Sequence, residues 1–262
     1  GVVGRDSLAG VDVDAVLVQE SGLLKDDIVL DIPAETGQFD TVLLRRGTDM
    51  IVQSTKAWAE YAAEQEDAEA VVPLLVHQVP NKPDEATLKR YVDTVLDAWP
   101  GLRIEAFANV LGEHSDLVVG PYKIPYVEPE RVQESRHIRV LISKDAISTG
   151  WDCPRAEVLV SFRPAVDQTH ITQLIGRLVR TPLARRIPGD ARLNAVHCVL
   201  PYFDRVTATK VAGALMNPEA GNGGPTPPPP PRRVLVNPID VEANRAVPDE
   251  VWACFDALPS QT

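Results

Sequence analysis

The sequence has few cysteines and no long apolar run, and each absence excludes a class of protein. Cys153, Cys198 and Cys254 lie far apart and form no CxxC pair. This spacing argues against a disulfide framework or a zinc site and suits a reducing cytoplasm, where we expect the protein to reside. No apolar stretch approaches the length of a membrane span, so we expect no membrane association. No metal ligands are predicted.

The sequence also lacks an initiator methionine, a signal-like start and any internal repeat. Gly1 is therefore expected to be an internal cut in a longer chain. The apolar share of 44% is enough for a substantial core in a chain of 262 residues.

Positive charge is scarce overall and concentrated in one window. The net charge is −11, which argues against a freestanding nucleic-acid binder with a basic surface. Between residues 163 and 192, however, the sequence contains six arginines and only two aspartates. The net charge of this window is therefore +4, and that of the remainder is −15. Any chemistry directed at phosphate is predicted to be local to this window.

Apolar patterning predicts alternating strands and helices. Strands are expected at 28–32, 71–78, 102–108, 138–142, 158–162 and 196–201, and helices at 40–70, 84–98 and 206–215, with a short helix between the fourth and fifth strands. Residues 111–130 are expected to be irregular. Asp84 is a candidate N-cap. This alternation is typical of an α/β fold with a parallel sheet covered by helices on both faces. In such sheets ligands meet the loops at the carboxyl ends of the strands.

A segment rich in glycine and proline divides the chain. Residues 216–231 contain Gly221-Asn222-Gly223-Gly224 and five consecutive prolines, which predicts a partly stiff linker. We therefore expect a main domain at 1–215, and residues 232–262 to begin a further, truncated C-terminal region.

Two charged motifs lie close together in the sequence. The first is Gly150-Trp151-Asp152-Cys153-Pro154, and the second is Gln173-Leu174-Ile175-Gly176-Arg177-Leu178-Val179-Arg180. On a helix, Gln173, Arg177 and Arg180 would project from one face, at positions i, i+4 and i+7. Apolar residues would form the opposite, buried stripe: Ile171, Leu174, Ile175 and Leu178. Aligned guanidinium groups are suited to binding phosphate.

These motifs resemble those of a known enzyme family. Gln173-x-x-Gly176-Arg177-x-x-Arg180 resembles the last signature motif of superfamily 2 DEAD/DEAH-box helicases, and Gly150 to Pro154 resembles the motif before it. The sequence from Trp151 to Val158 is similar to that of the helicase subunits of type III restriction enzymes. The resemblance covers about residues 20 to 215. It implies a second RecA-like lobe of an ATP-dependent DNA helicase or translocase, in a restriction-like or defence system.

The resemblance also implies roles for individual residues. Arg177 and Arg180 would be the catalytic arginine fingers that reach the γ-phosphate. Gln173, Gly176, Gly150 and Asp152 would bind ATP, with Gly150 allowing close backbone approach.

Other residues would contact the nucleic-acid backbone: Ser148, Thr149, Lys144 and, more weakly, Gln78 and Asn81. Many relatives carry threonine where Lys144 stands. DNA is the expected partner, with RNA as an alternative. A first RecA-like lobe, and nuclease or methylase subunits, are further expected partners.

The sequence has no phosphate loop of its own. None of its seven lysines follows a glycine, so the pattern GxxxxGK[ST] is missing, and no DExx run is present to hold magnesium. ATP and Mg²⁺ are therefore expected to be held mainly by the first lobe of a longer protein. Residues 1–262 alone are expected to hold no cofactor and not to hydrolyse ATP.

Simpler interpretations of the same residues stay open. The lobe could be a non-catalytic module that binds nucleic acid or protein, or a nucleotide-binding α/β domain outside the helicases. The two arginines could be solvated surface groups, and Arg185 and Arg186 could either follow nucleic acid or stay solvated. Trp151, His77 and His197 are expected in the core, and residues 112–116 are expected to form a loop.

Overall fold

The computed structural model describes residues 21–34, 39–65, 70–144, 151–164, 168–216, 233–240 and 248–256. The strands are β1 (Asp27–Pro33), β2 (Leu74–Gln78), β3 (Phe107–Asn109), β4 (Leu117–Val119), β5 (Tyr122–Ile124), β6 (Val140–Ser143), β7 (Ala156–Ser161), β8 (Ala195–Val199) and β9 (Arg233–Ile239). The helices are α1 (Asp40–Glu64), α2 (Glu85–Ala98), α3 (Gln168–Leu178), α4 (Arg205–Met216) and α5 (Asp249–Asp256).

Seven of the strands form one sheet in the order β3-β6-β2-β7-β8-β1-β9. Every neighbouring pair in this sheet is parallel. Strands β2, β6 and β7 are buried on both faces, which explains why they are almost continuously apolar in sequence. The predicted α/β class with a parallel sheet is confirmed.

Helices cover both faces of the sheet. On one face, α1 and α2 contribute Leu44 and Leu88 to a cluster that includes Val160 of β7. On the other face, α3 and α4 contribute Ile175 and Val211 to a second cluster. Burying one such aliphatic side chain stabilises the fold by about 1.5–3 kcal/mol.

Helix α1 lies close to the sheet because Gly47 faces β7. A Cβ atom at Gly47 would lie 2.3 Å from Val160 Cγ2. Helix α2 begins as predicted, since the Asp84 carboxylate accepts a hydrogen bond of 2.6 Å from the Thr87 amide.

Three features differ from the sequence prediction. The strand expected at 102–108 is limited to β3, which follows a 3-10 helix at Ile104–Ala106. Residues 111–130, expected to be irregular, contain the antiparallel hairpin β4–β5, whose strands of three residues are too short to give an alternating pattern. Strand β9 lies beyond the predicted boundary at residue 215, yet it pairs with β1 along its whole length. The sheet therefore continues into the region expected to be separate. The predicted linker lies outside the described residues, apart from its first residue, Met216, which ends α4.

Candidate functional site

Three residues of the two motifs come together at the amino edge of the sheet. Helix α3 follows the carboxyl end of β7 and runs back, so its last turn lies beside residues 151–155, which lead into β7. Arg177 is half-buried, and its Nη1 donates a hydrogen bond of 3.3 Å to the Trp151 carbonyl oxygen. Arg180 Nη1 lies 2.5 Å from Asp152 Oδ2. The motifs are therefore in direct contact.

The Arg180–Asp152 pair is open to solvent. The side chains are 60% and 49% exposed. An exposed ion pair holds its partners weakly, with a typical contribution of about 0–1 kcal/mol. Each of the two side chains can therefore leave its ion-pair partner and bind a ligand instead. Trp151, the residue before Asp152, is buried as predicted.

Arg180 does not lie on helix α3, and the predicted i+7 position on one helical face is wrong. The helix ends at Leu178, and Arg180 instead forms an antiparallel bridge with Leu24. The Lys25 amide donates to Val179 O (2.6 Å), and the Thr181 amide donates to Leu23 O (3.0 Å). These long-range backbone bonds end the helix two residues before Arg180.

A glycine allows this close approach. Gly22 has a φ of +72°, and a Cβ atom there would lie 2.3 Å from the Arg186 backbone nitrogen. Its carbonyl oxygen also accepts a hydrogen bond of 2.8 Å from Thr181 Oγ1. Residues 22–25 thus form a docked segment, called here the clamp, that sets the backbone on both sides of Arg180.

The exposed side of α3 carries the other two predicted nucleotide contacts. Gln173 and Gly176 are both exposed, and the space around Gly176 is open. The predicted apolar stripe is confirmed as buried: Ile171, Leu174, Ile175 and Leu178. Gly150, which was predicted to approach the nucleotide, lies outside the described residues, as do Ser148 and Thr149.

The remaining predicted contacts lie at the opposite, carboxyl edge of the sheet. Gln78 is 1% exposed; its Nε2 donates to Lys144 O (2.9 Å), and its Oε1 accepts from Ser161 Oγ (2.7 Å). Its carboxamide links three strand ends, so it is not available for the predicted contact with a nucleic-acid backbone. Asn81 and Lys144 both line an open cleft of about 240 Å³ beside the β4–β5 hairpin.

The candidate site is therefore divided between two edges of the sheet. Asp152, Arg177 and Arg180 lie at the amino edge, whereas the sequence analysis expected ligands at the carboxyl ends of the strands. A contact made by Lys144 and one made by Arg180 would involve different parts of a ligand, or two ligands.

A buried ion pair that the sequence analysis missed lies behind the clamp. Lys25 Nζ is 3.8 Å from Glu157 Oε1, and both side chains are buried. Burial lowers the pKa of Lys25 and raises the pKa of Glu157. Glu157 also accepts hydrogen bonds from Ser54 Oγ and from Trp58 Nε1, the latter at 2.8 Å. The only signal in the sequence was a charged residue inside an apolar strand.

The other polar candidates near the motifs serve the structure. Cys153 is buried, and burial raises the pKa of its thiol to about 11, so it is unreactive near neutral pH. Arg186 Nε pairs with Asp26 Oδ2 at 2.8 Å, and Arg185 Nη2 donates to the Tyr61 hydroxyl at 2.7 Å. His77 lies in the core as predicted.

Within the described residues, no group of three His, Cys, Asp or Glu side chains could hold a metal ion. The helices of this same part of the chain are too short or too polar to span a bilayer.

Comparisons with known proteins gave matches only among solved structures. No family model matches the sequence, and no curated protein matches it. Dbp5 of S. cerevisiae, bound to RNA and ADP BeF3, is similar with 14% identity and a TM-score of 0.42, over 87% of this chain and 43% of that one.

Two similar structures come from restriction enzymes. One is a fragment assigned to the HsdR subunit of a type I enzyme from Vibrio vulnificus YJ016, with 16% identity and a TM-score of 0.41, over 84% of this chain and 37% of that one. The other is the ATP-dependent type ISP restriction-modification enzyme LlaBIII bound to DNA, with 12% identity and a TM-score of 0.40, over 93% of this chain and 17% of that one.

This chain spans less than half of each of these proteins. At such identities and TM-scores, the matches assign neither a family nor an activity.

Proposed function

We propose that this chain is the second motor lobe of an ATP-dependent helicase or translocase that acts on DNA, within a restriction-like enzyme. Its contribution would be to bring Arg177 and Arg180 to an ATP molecule held mainly, with Mg²⁺, by a first lobe. The sequence around Trp151, which resembles the helicase subunits of type III restriction enzymes, supports the assignment to a restriction-like enzyme. Nuclease or methylase subunits would then be partners.

The observation that carries this proposal is the placing of Arg180, Asp152 and Arg177 together on one open edge. A guanidinium held by an exposed carboxylate can exchange it for a phosphate at little cost. An arginine placed at a transferred phosphoryl group spreads the charge that develops there, typically raising the rate by about 10³–10⁵-fold. The freed Asp152 carboxylate could then accept hydrogen bonds from a ribose.

The clamp supports the same role. A finger needs a fixed backbone, because a misplacement of about 1 Å lowers the rate by about 10²-fold. Arg180 meets this need, since the backbone bonds from Lys25 to Val179 and from Thr181 to Leu23 lie on either side of it.

We propose that nucleic acid lies at the opposite edge. Lys144 and Asn81 line the cleft there, and Ser148 and Thr149 would follow from the motif between β6 and β7. Lys144 would supply an ionic contact to a phosphate group. Because Asn81 is neutral, its replacement should change the salt dependence of binding less than that of Lys144.

The test is ATP turnover by the longer protein that contains this chain. Arg177→Ala and Arg180→Ala should each lower kcat by about 10³-fold or more, with KM changed only a few-fold. Arg205→Ala, at an exposed position of α4, is the matched control. Unchanged kcat in both variants would contradict the motor role and leave the non-catalytic binding module as the better description.

A further inference from the structure

Lys25 contacts both of the motifs that form the candidate site. Its amide donates a hydrogen bond of 2.6 Å to Val179 O, next to Arg180. At the other end of the residue, its ammonium group donates a long hydrogen bond of 3.5 Å to Ala156 O and lies 3.8 Å from Glu157 Oε1. One residue of the clamp is therefore attached both to the backbone beside Arg180 and to the first two residues of β7.

The start of β7 lies directly after the turn that carries Asp152. The Ala156 amide donates a hydrogen bond of 2.9 Å to Cys153 O, which closes this turn. Within the same turn, Arg155 O accepts a hydrogen bond of 2.8 Å from the Leu74 amide of β2. Because the turn is attached to the sheet in this way, a group bound to Ala156 has a fixed position relative to Asp152.

The carboxylate beside the Lys25 ammonium group is itself held by two donors. Trp58 Nε1 donates to Glu157 Oε1 at 2.8 Å, and Ser54 Oγ donates to Glu157 Oε2. Both donors lie on α1, and both charged side chains are buried. No bulk water can replace the partner of a buried ammonium group, so a movement of the clamp that separates the two charges is strongly opposed.

The backbone hydrogen bonds of the clamp do not by themselves select one register, because any residue supplies the same N–H and C=O groups. The adjacent leucines discriminate weakly, since Leu23 is exposed and Leu24 is only half-buried. A slip by one residue would move the Lys25 ammonium group by about 3.3 Å, away from Glu157. Gly22 opposes such a slip by repulsion at one end of the clamp, and Lys25 opposes it by attraction at the other end.

We propose that Lys25 is a positioning residue for ATP turnover, because its buried ammonium group fixes the clamp against β7 and so sets the place of the Arg180 guanidinium. This inference rests on the proposed function of Arg180 as a finger. Lys25 touches no ligand and acts through the backbone of Arg180 and the turn that carries Asp152. An apolar pair at the positions of Lys25 and Glu157 fills the same space but lets the clamp shift, since apolar attraction has no preferred direction.

The experiment is steady-state ATP turnover by the longer protein that contains this chain. The variant is Lys25→Met with Glu157→Leu, which leaves no buried charge and should regain most of the stability that Glu157→Ala loses. Its kcat should fall by about 10–100-fold, since a misplacement of about 1 Å has an effect of this order, while KM changes less than about threefold. Glu157→Gln, a second variant of the same shape, should lower kcat in the same direction.

Val95→Ala is the control for loss of stability alone. Val95 is buried on α2, and the loss of its methyl groups should lower the midpoint of urea unfolding of the chain. Because α2 contacts neither motif, kcat should stay unchanged in this variant.

A double-mutant cycle tests whether Lys25 acts through Arg180. In a protein that already carries Arg180→Ala, the paired change Lys25→Met with Glu157→Leu should lower kcat by less than about threefold further, because the positioned group is gone. Either of two results would overturn the proposal: an unchanged kcat in the stable paired variant, or the same fall in kcat with and without the Arg180 side chain. Both would leave the proposed function intact, whereas an unchanged kcat in Arg180→Ala alone would overturn the two together.

Discussion

Arg180 Nη1 lies 2.5 Å from Asp152 Oδ2, although the two residues are 28 positions apart in the sequence. This pair joins the two motifs at one edge of a parallel sheet. Both side chains are about half exposed, so the pair contributes little to the stability of the fold.

Asp152→Asn should therefore separate function from stability. The free energy of unfolding should fall by less than about 1 kcal/mol, because an exposed ion pair contributes little. In the longer protein, the same change should reduce ATP turnover, since Asp152 would orient Arg180 or bind the ribose. Urea unfolding and steady-state kinetics check the two parts. A loss of stability above about 2 kcal/mol would show that the pair is structural.

Gly22→Ala should disturb both the clamp and Arg180. The positive φ of +72° and the contact of 2.3 Å with the Arg186 backbone each oppose a side chain at this position. We expect a loss of roughly 1–3 kcal/mol in the free energy of unfolding, together with lower ATP turnover in the longer protein.

Gly189→Ala is the matched control for Gly22→Ala. Gly189 also has a positive φ, +90°, but nothing lies within 4 Å of a Cβ atom there. The difference between the two variants therefore measures the close approach alone. Equal losses of stability would mean that the clamp does not press against the segment after Arg180.

The buried Lys25–Glu157 pair predicts a strong asymmetry between single and double variants. Glu157→Ala alone leaves Lys25 buried without its partner and should cost about 3–5 kcal/mol in the free energy of unfolding. Replacing both, as Lys25→Met with Glu157→Leu, should recover much of this loss because no buried charge remains. Chemical denaturation of the three proteins checks this. A double variant as unstable as Glu157→Ala would contradict it.

His77 predicts that stability falls in mild acid. Its ring lies 5.0 Å from the rings of Tyr91 and Phe162, and burial lowers its pKa from 6.5 to about 3. As the pH falls through 6.5, His77 becomes protonated in the unfolded chain but stays neutral in the folded chain. The contribution of neutral His77 is therefore complete above about pH 6.5 and is lost toward pH 3.

Between pH 7.5 and 5, this loss should amount to about 2 kcal/mol in the free energy of unfolding. His77→Leu should reduce this loss in the free energy of unfolding by that amount. The part of the loss that is due to His197 should remain, because burial also lowers the pKa of His197. Urea unfolding at the two pH values measures both. The same pH dependence in His77→Leu and in the unchanged chain would contradict the account.

The sequence pattern predicted the strands and helices of the fold better than it predicted the positions of the site residues. Buried parallel strands are continuous apolar runs, and the buried stripe of α3 repeats with helical period, so both could be read from local pattern. The position of Arg180 could not, because it depends on backbone bonds to residues more than 150 positions earlier. Buried Arg155 likewise donates hydrogen bonds to main-chain carbonyl oxygens up to 83 residues away. The prediction from local spacing therefore extended α3 by two residues beyond its end at Leu178.

The most direct test of the central claim compares a transition-state mimic with a product in the longer protein. If Arg177 and Arg180 complete an ATP site on another lobe, Arg177→Ala and Arg180→Ala should weaken ADP–aluminium fluoride by at least about 10²-fold, because it mimics the transferred phosphoryl group. The affinity for ADP itself should change by less than about threefold. Equal weakening of both ligands, or of neither, would contradict the account.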